Sequence, residues 1–167
     1  MAKTPINVLF LCTHNSARSI LAEALLNAIG GGRFRAYSAG SSPRANQQPN
    51  PMALRVLQEA GIETAGLSSK SWDVFAAPGA PHMDLVITVC DNAAGEACPI
   101  WPGHPATAHW GYPDPSETQG SDEARHQAFS ATLHAIKRRL DILVGMPEER
   151  LQALVLQQTA RELGADA

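Results

Sequence analysis

A cysteine, an arginine and a serine fall at Cys12, Arg18 and Ser19 of the stretch VLFLCTHNSARSI, residue types that suit attack on a bound anion. Between Cys12 and Arg18 the chain must turn from an apolar run into a helical pattern. The backbone N–H groups of Thr13, His14, Asn15, Ser16, Ala17 and Arg18 then lack helical partners and can wrap an oxyanion, aided by the positive end of the helix dipole. Arg18 adds a fixed fork of donors that matches a tetrahedral anion bidentately. The same field favours thiolate at Cys12, and the Ser19 hydroxyl can donate to the sulfur. Asn15 suits a left-handed backbone conformation inside such a cradle. The plainer alternative is a core cysteine at a strand end with Arg18 on a solvated helix face. Cys-x5-Arg alone does not decide between the two.

The elements around it do more. Asn7 to Cys12 is a continuous apolar run of strand length, suited to a strand buried on both faces of a parallel sheet. From Arg18 the spacing predicts a helix with Leu21, Ala24, Leu25 and Ala28 on one stripe, stopped by Gly30, Gly31 and Gly32. Phe34 to Ser38 reads as a second strand, and Ser41 to Pro49 as a polar loop. Asn50 and Pro51 give a cap and first-turn signal for a helix carrying Leu54, Leu57 and Ala60. Asp84 to Cys90 is another buried strand, and Ala106 to Trp110 a short one. Ser121 caps a long helix with the stripe Phe129, Leu133, Ile136, Leu140 and Leu143. Pro147, Glu148 and Glu149 open one more, with Leu151, Leu154 and Val155 inward. This alternation predicts a single-domain α/β fold with an open parallel sheet. In such a sheet ligands gather beyond the carboxyl ends of the strands. Cys12, Cys90 and Asp114 are all sent to that edge.

The bulk properties exclude other classes. A chain of 167 residues can bury one full core. A net charge of −3 with dispersed cations gives no nucleic-acid footprint. Lys137, Arg138 and Arg139 sit near the end of the long helix, where cations suit its dipole. No apolar run is long enough for a membrane span and the start has no signal-peptide layout, so the expected location is the cytoplasm. Three cysteines in a reducing compartment do not make a disulfide framework and need another purpose. His82, His104, His109, His126 and His134 show no metal spacing, and Cys90, Cys98 and His104 match no standard zinc motif, so no metal site is expected.

The segment CTHNSARS resembles the C-x5-R-S signature of the low-molecular-weight protein tyrosine phosphatase superfamily. YSAG at Tyr37 to Gly40, ITVCDNAAGEACP at Ile87 to Pro99 and HWGYPDP at His109 to Pro115 are similar to its arsenate reductase branch, in order and in rough spacing. The resemblance runs to about Val144. It implies a four-stranded parallel sheet with helices on both faces, a catalytic domain over residues 1–145, and residues 146–167 as a C-terminal helical extension of the same domain. It also implies that Asp114, followed by Pro115, is the general acid.

Phosphatase and reductase share that cradle and differ in redox chemistry. A phosphatase needs one cysteine and a water, whereas reduction of As(V) needs two electrons, most simply from thiols. The resemblance implies a relay in which Cys12 attacks arsenate, Cys90 attacks Cys12, and Cys98 attacks Cys90. An external reductant, thioredoxin or glutathione or mycothiol with a glutaredoxin-type partner, would then reset the enzyme, with no tightly bound cofactor. Phosphatases of the superfamily carry an aromatic after the Asp-Pro pair and another in the variable loop. Here Ser116 follows Pro115, and SSPRANQQPN has no aromatic. A small anion such as arsenate, with phosphate or sulfate as analogues, fits that mouth better than an aryl ester. Weak hydrolysis of aryl phosphates is compatible with the same cradle. The competing readings are a phosphomonoesterase and a non-catalytic oxyanion-binding or redox-responsive partner protein.

Potassium-binding members of that branch hold the ion with an Asn, a Glu, a Ser and an acidic residue. Asn15, Glu23 and Ser38 match three of these, but Lys70 stands near the place of the acid. Its ammonium would occupy the cation's place and pair with Glu23; the alternative is an exposed loop lysine. For His14 the two readings are an anion-steering cation and a solvent-facing bystander, and for Trp110 packing is preferred to recognition.

Overall fold

The computed structural model describes residues 5–43, 45–90 and 106–153. Strands β1 (Ile6–Cys12), β2 (Phe34–Gly40), β3 (Leu85–Thr88) and β4 (Ala106–His109) alternate with helices α1 (Arg18–Ile29), α2 (Pro51–Glu59), α3 (Asp73–Ala76) and α4 (Asp122–Val144). All strand pairs are parallel, in the order β2-β1-β3-β4. The apolar run predicted for β1 is central, which is why its residues from Val8 onward are buried on both faces.

Alternation along β1 divides the interior into two layers. Val8, Phe10 and Cys12 face the main core with the apolar sides of α1, α2 and α4. Leu9 and Leu11 face a smaller cluster with Ala39, Met83 and Val86, against which Tyr37, Trp72 and Phe75 pack. Three helices thus cover one face, and a single turn, α3, lies over the other among the described residues. No helix there is long and apolar enough to cross a membrane.

The caps act as the residue types dictate. The Asn50 side chain accepts the Met52 N–H, and Ser121 accepts that of Ala124. The expected α4 stripe of Phe129, Leu133, Ile136, Leu140 and Leu143 is buried throughout. Elsewhere the buried faces differ from the expected ones. In α1 burial takes in Ile20, Ala22 and Leu26 as well, because this helix is wedged between the sheet, α2 and α4, while Ala28 is exposed on its open side. In α2 the inward residues are Ala53, Val56 and Leu57; Leu54 is half-buried and Ala60 exposed. Strand β3 is shorter than the expected Asp84 to Cys90, and just before it the Asp84 carboxylate accepts the Asn7 N–H at 2.9 Å. Past Val144 the chain returns to the core through Leu151, and Arg33 donates to the Val144 and Met146 carbonyls at 2.8 and 2.6 Å.

Candidate active site

The sheet edge formed by the ends of β1, β2 and β3 carries the cradle. Cys12 closes β1 and is buried, as are Asn15, Arg18 and Ser19. Asn15 takes φ 55°, the left-handed conformation expected of it, and this turns its N–H back onto the Cys12 sulfur at 3.2 Å. The Ser19 oxygen lies 3.0 Å from the same sulfur. That oxygen accepts from Asn15 Nδ2 at 2.8 Å, which leaves the Ser19 proton for the thiol. Asn15 is itself oriented from outside, because its Oδ1 accepts the Lys70 N–H at 2.9 Å. The sulfur therefore sits beside two donors, the Asn15 N–H and the Ser19 hydroxyl, fixed by a chain of hydrogen bonds.

The rest of the loop is pinned by its carbonyls. Those of Cys12, Thr13 and Ser16 accept from the N–H groups of Ser41 (3.1 Å), Ser42 (2.9 Å) and Asn50 (2.8 Å). These bonds seat the loop against the chain that follows β2 and the start of α2. His14 is half-buried at the rim, its Nδ1 3.0 Å from the Ser42 carbonyl. Ala17 precedes α1, and its carbonyl accepts the Leu21 N–H at 2.8 Å. Two contributors escaped the sequence reading as site residues. Gly40 lies so close under the cradle that a Cβ there would meet the Thr13 carbonyl oxygen at 2.6 Å. Tyr112 presents its carbonyl to Arg18 Nη1 at 3.0 Å. The segments YSAG and HWGYPDP contained both residues, but nothing local in them announced these contacts.

Asp114 reaches the same guanidinium, with Oδ2 3.7 Å from Arg18 Nη2. Its Oδ1 accepts from the Ser116 N–H at 3.0 Å and hydroxyl at 2.7 Å, capping a turn over Pro115–Glu117. Serine after the Asp-Pro pair thus holds the carboxylate, where an aromatic would have lined the mouth. Behind the cradle, Lys70 Nζ donates to the carbonyls of Ser38 (3.0 Å) and Ser68 (2.7 Å) and lies 3.9 Å from Glu23. The Ser38 hydroxyl donates to Glu23. Burial pushes the Glu23 carboxyl above its ordinary range, against the opposing pull of Ser38 and Lys70. Burial likewise lowers the Lys70 ammonium, with Glu23 acting to restore it. Nζ thus takes two backbone oxygens beside the Glu23 carboxylate.

Cys90 follows the end of β3 and is fully buried. The Val89 N–H donates to the Leu11 carbonyl at 2.9 Å, which sets residue 90 next to the end of β1. Cys12 is a free thiol, whereas Cys90 is disulfide-bonded. Cys98, expected in the relay, and His104 lie outside the described residues.

A four-stranded parallel sheet with a buried cysteine, arginine and serine at the junction of its first strand and first helix defines a phosphatase-like fold. Residues 7–158 match the family described as low molecular weight phosphotyrosine protein phosphatase, and the chain belongs to that family. Its similarity extends to proteins named arsenate reductase. That of Bacillus subtilis (strain 168) is 35% identical over 133 residues, spanning 80% of this chain and 91% of its own. The crystal structure of arsenate reductase from Archaeoglobus fulgidus DSM 4304 superposes with a TM-score of 0.66 at 28% identity, over 83% of this chain and 99% of that one. A thioredoxin-dependent arsenate reductase of Corynebacterium glutamicum gives 0.54 at 27% identity, over 85% and 65%.

Proposed function

We propose that this chain is an arsenate reductase, an enzyme converting arsenate to arsenite through Cys12 and a thiol relay. The observation that carries the reading is a free thiol, Cys12, in a loop shaped for an anion, with a second, disulfide-bonded cysteine, Cys90, just past the adjacent strand end. Arsenate enters the loop from Thr13 to Arg18, its charge taken up by backbone N–H groups and the Arg18 fork. Cys12 attacks arsenic, an As–O bond breaks, and Asp114 protonates the departing oxygen. Cys90 then attacks the Cys12 sulfur; the S–As electron pair stays on arsenic, which leaves as arsenite, and a Cys12–Cys90 disulfide forms. Cys98 attacks Cys90, restoring the Cys12 thiolate and leaving Cys90–Cys98 for an external dithiol to reduce. The oxidised state of Cys90 beside a free Cys12 supports this order. The Corynebacterium relative favours thioredoxin as that dithiol.

Turnover with arsenate, supplied in parallel with thioredoxin and with glutathione plus glutaredoxin, tests the proposal. Reduction is expected with the thioredoxin system. Failure with both, while an aryl phosphate is hydrolysed, would turn the reading to phosphomonoesterase. Phosphate binding without either activity would turn it to an oxyanion binder.

Lys70 takes the part of a built-in cation in this reading. Exchanging potassium for sodium should leave kcat and KM unchanged, and a strong potassium requirement would defeat the assignment. Lys70→Met leaves Glu23 buried without its partner, at a cost of about 1–3 kcal/mol that thermal unfolding near neutral pH reads directly.

A further inference from the structure

Arg139 stands on α4, far in sequence from the cradle. Its guanidinium carbon lies 5.9 Å from the ring centroid of Trp110 and 5.1 Å from that of Tyr112. A delocalised planar cation is attracted to both rings, and it draws together two residues separated by Gly111 alone. The same segment is anchored on its other side. The Trp110 N–H donates to the Thr88 carbonyl at 2.7 Å, and its ring packs against Phe10 of β1 with centroids 6.4 Å apart. Tyr112 is buried, and its carbonyl receives Arg18 Nη1 at 3.0 Å. Asp114 follows two residues on, facing Arg18 Nη2.

The geometry points to Arg139 as a positioning residue for the anion site: by stacking on Trp110 and Tyr112 it fixes the carbonyl that aims the Arg18 fork, and with it the segment that carries Asp114. A guanidinium has five N–H donors, and anion capture needs two of them held on the cradle side. The Tyr112 carbonyl occupies Nη1 and sets the plane of the fork. If the segment rocks, fork and carboxylate move together. Burial holds the Tyr112 phenol above the ordinary tyrosine range, opposed first by Arg139 and then, more weakly, by the Arg138 charge. Arg138, the next residue along the helix, has no such ring contact among the described residues.

The inference rests on the reading of Cys12 to Arg18 as the reaction site, and its test separates the two. Full-length Arg139→Ala, Arg139→Lys and Arg138→Ala are compared by phosphate protection of Cys12 against iodoacetamide, by kcat and KM for arsenate, and by thermal unfolding. Arg139→Ala should need about 5–20-fold more phosphate for protection and lose kcat by a similar factor, the range expected from losing cation–π anchoring. Arg139→Lys should fall between it and wild type, and Arg138→Ala should match wild type. Wild-type protection and kcat in Arg139→Ala would overturn the inference, as would an equal defect in Arg138→Ala, which would mean general loss of positive charge. Should Arg139→Ala fail to fold, Arg139→Lys replaces it, and wild-type behaviour there overturns the inference. If the wild-type protein turns over no arsenate, the function is wrong, while phosphate protection still judges Arg139.

Discussion

Cys12→Ser should abolish every turnover the protein supports, whereas Cys90→Ser should abolish arsenate reduction and spare hydrolysis of an artificial aryl phosphate. Serine at position 12 keeps the hydrogen-bonding size of the residue but is a far weaker nucleophile at neutral pH. Loss of a residue that acts as part of a catalytic unit costs on the order of 10⁴–10⁶ in rate, which here means background. The cradle is built from main chain and Arg18, so phosphate should still bind to Cys12→Ser. Position 90 tells the two chemistries apart. Hydrolysis needs only Cys12, a water and Asp114, whereas release of arsenite needs a second thiol to attack the Cys12 sulfur. Cys90→Ser should therefore stall with arsenic attached to Cys12, detectable by intact-protein mass spectrometry under non-reducing conditions. Repeated arsenate turnover by Cys90→Ser would end the relay, whatever became of the fold assignment.

Gly40→Ala should damage the site by purely steric means. A Cβ at this position would meet the Thr13 carbonyl oxygen at 2.6 Å, the His14 carbonyl carbon at 2.9 Å and the Asn15 nitrogen at 3.0 Å. All three are backbone atoms of the cradle, so no rotamer change relieves the contact. The strand end has no room to retreat, since the Gly40 N–H donates to the Lys70 carbonyl and its own carbonyl accepts from Trp72, both at 2.9 Å. The loop must then lift off the end of β2, disturbing the Asn15 N–H that faces the sulfur. Displacements of about 1 Å at such a site cost on the order of 10²-fold in rate. Overpacking adds about 1–3 kcal/mol of destabilisation. Phosphate protection of Cys12 and thermal unfolding measure the two effects separately. A Gly40→Ala protein with unaltered melting and phosphate affinity would show that the loop is not seated as described.

The sequence by itself determined the parts whose physics is local. The apolar run Val8 to Cys12 made most of β1, Asn15 was suited to its left-handed turn, and Ser19, next to Arg18, was placed to meet Cys12. The α4 stripe was legible because its period of apolar residues needs a single partner face. That Cys12, Cys90 and Asp114 share one edge followed from parallel strands alone, since each lies at or just past a strand's carboxyl end. What the tertiary structure decided are contacts between segments whose relative register no local pattern encodes. Gly40 abuts the cradle because β2 pairs with β1 in the register that matches Cys12 to Gly40. Tyr112 offers Arg18 a carbonyl, which carries no side-chain signature to read. The breadth of the buried face of α1 reflects three neighbours at once, whereas a stripe in the sequence reports only one. Resemblance suggested Lys70, but its seat among Ser38, Ser68 and Glu23 depends on how the chain from Leu67 to Ser71 folds back beside β2. Chemistry was written in short motifs because reacting groups must be neighbours along the loop; its support was not, because packing is settled by distant surfaces meeting.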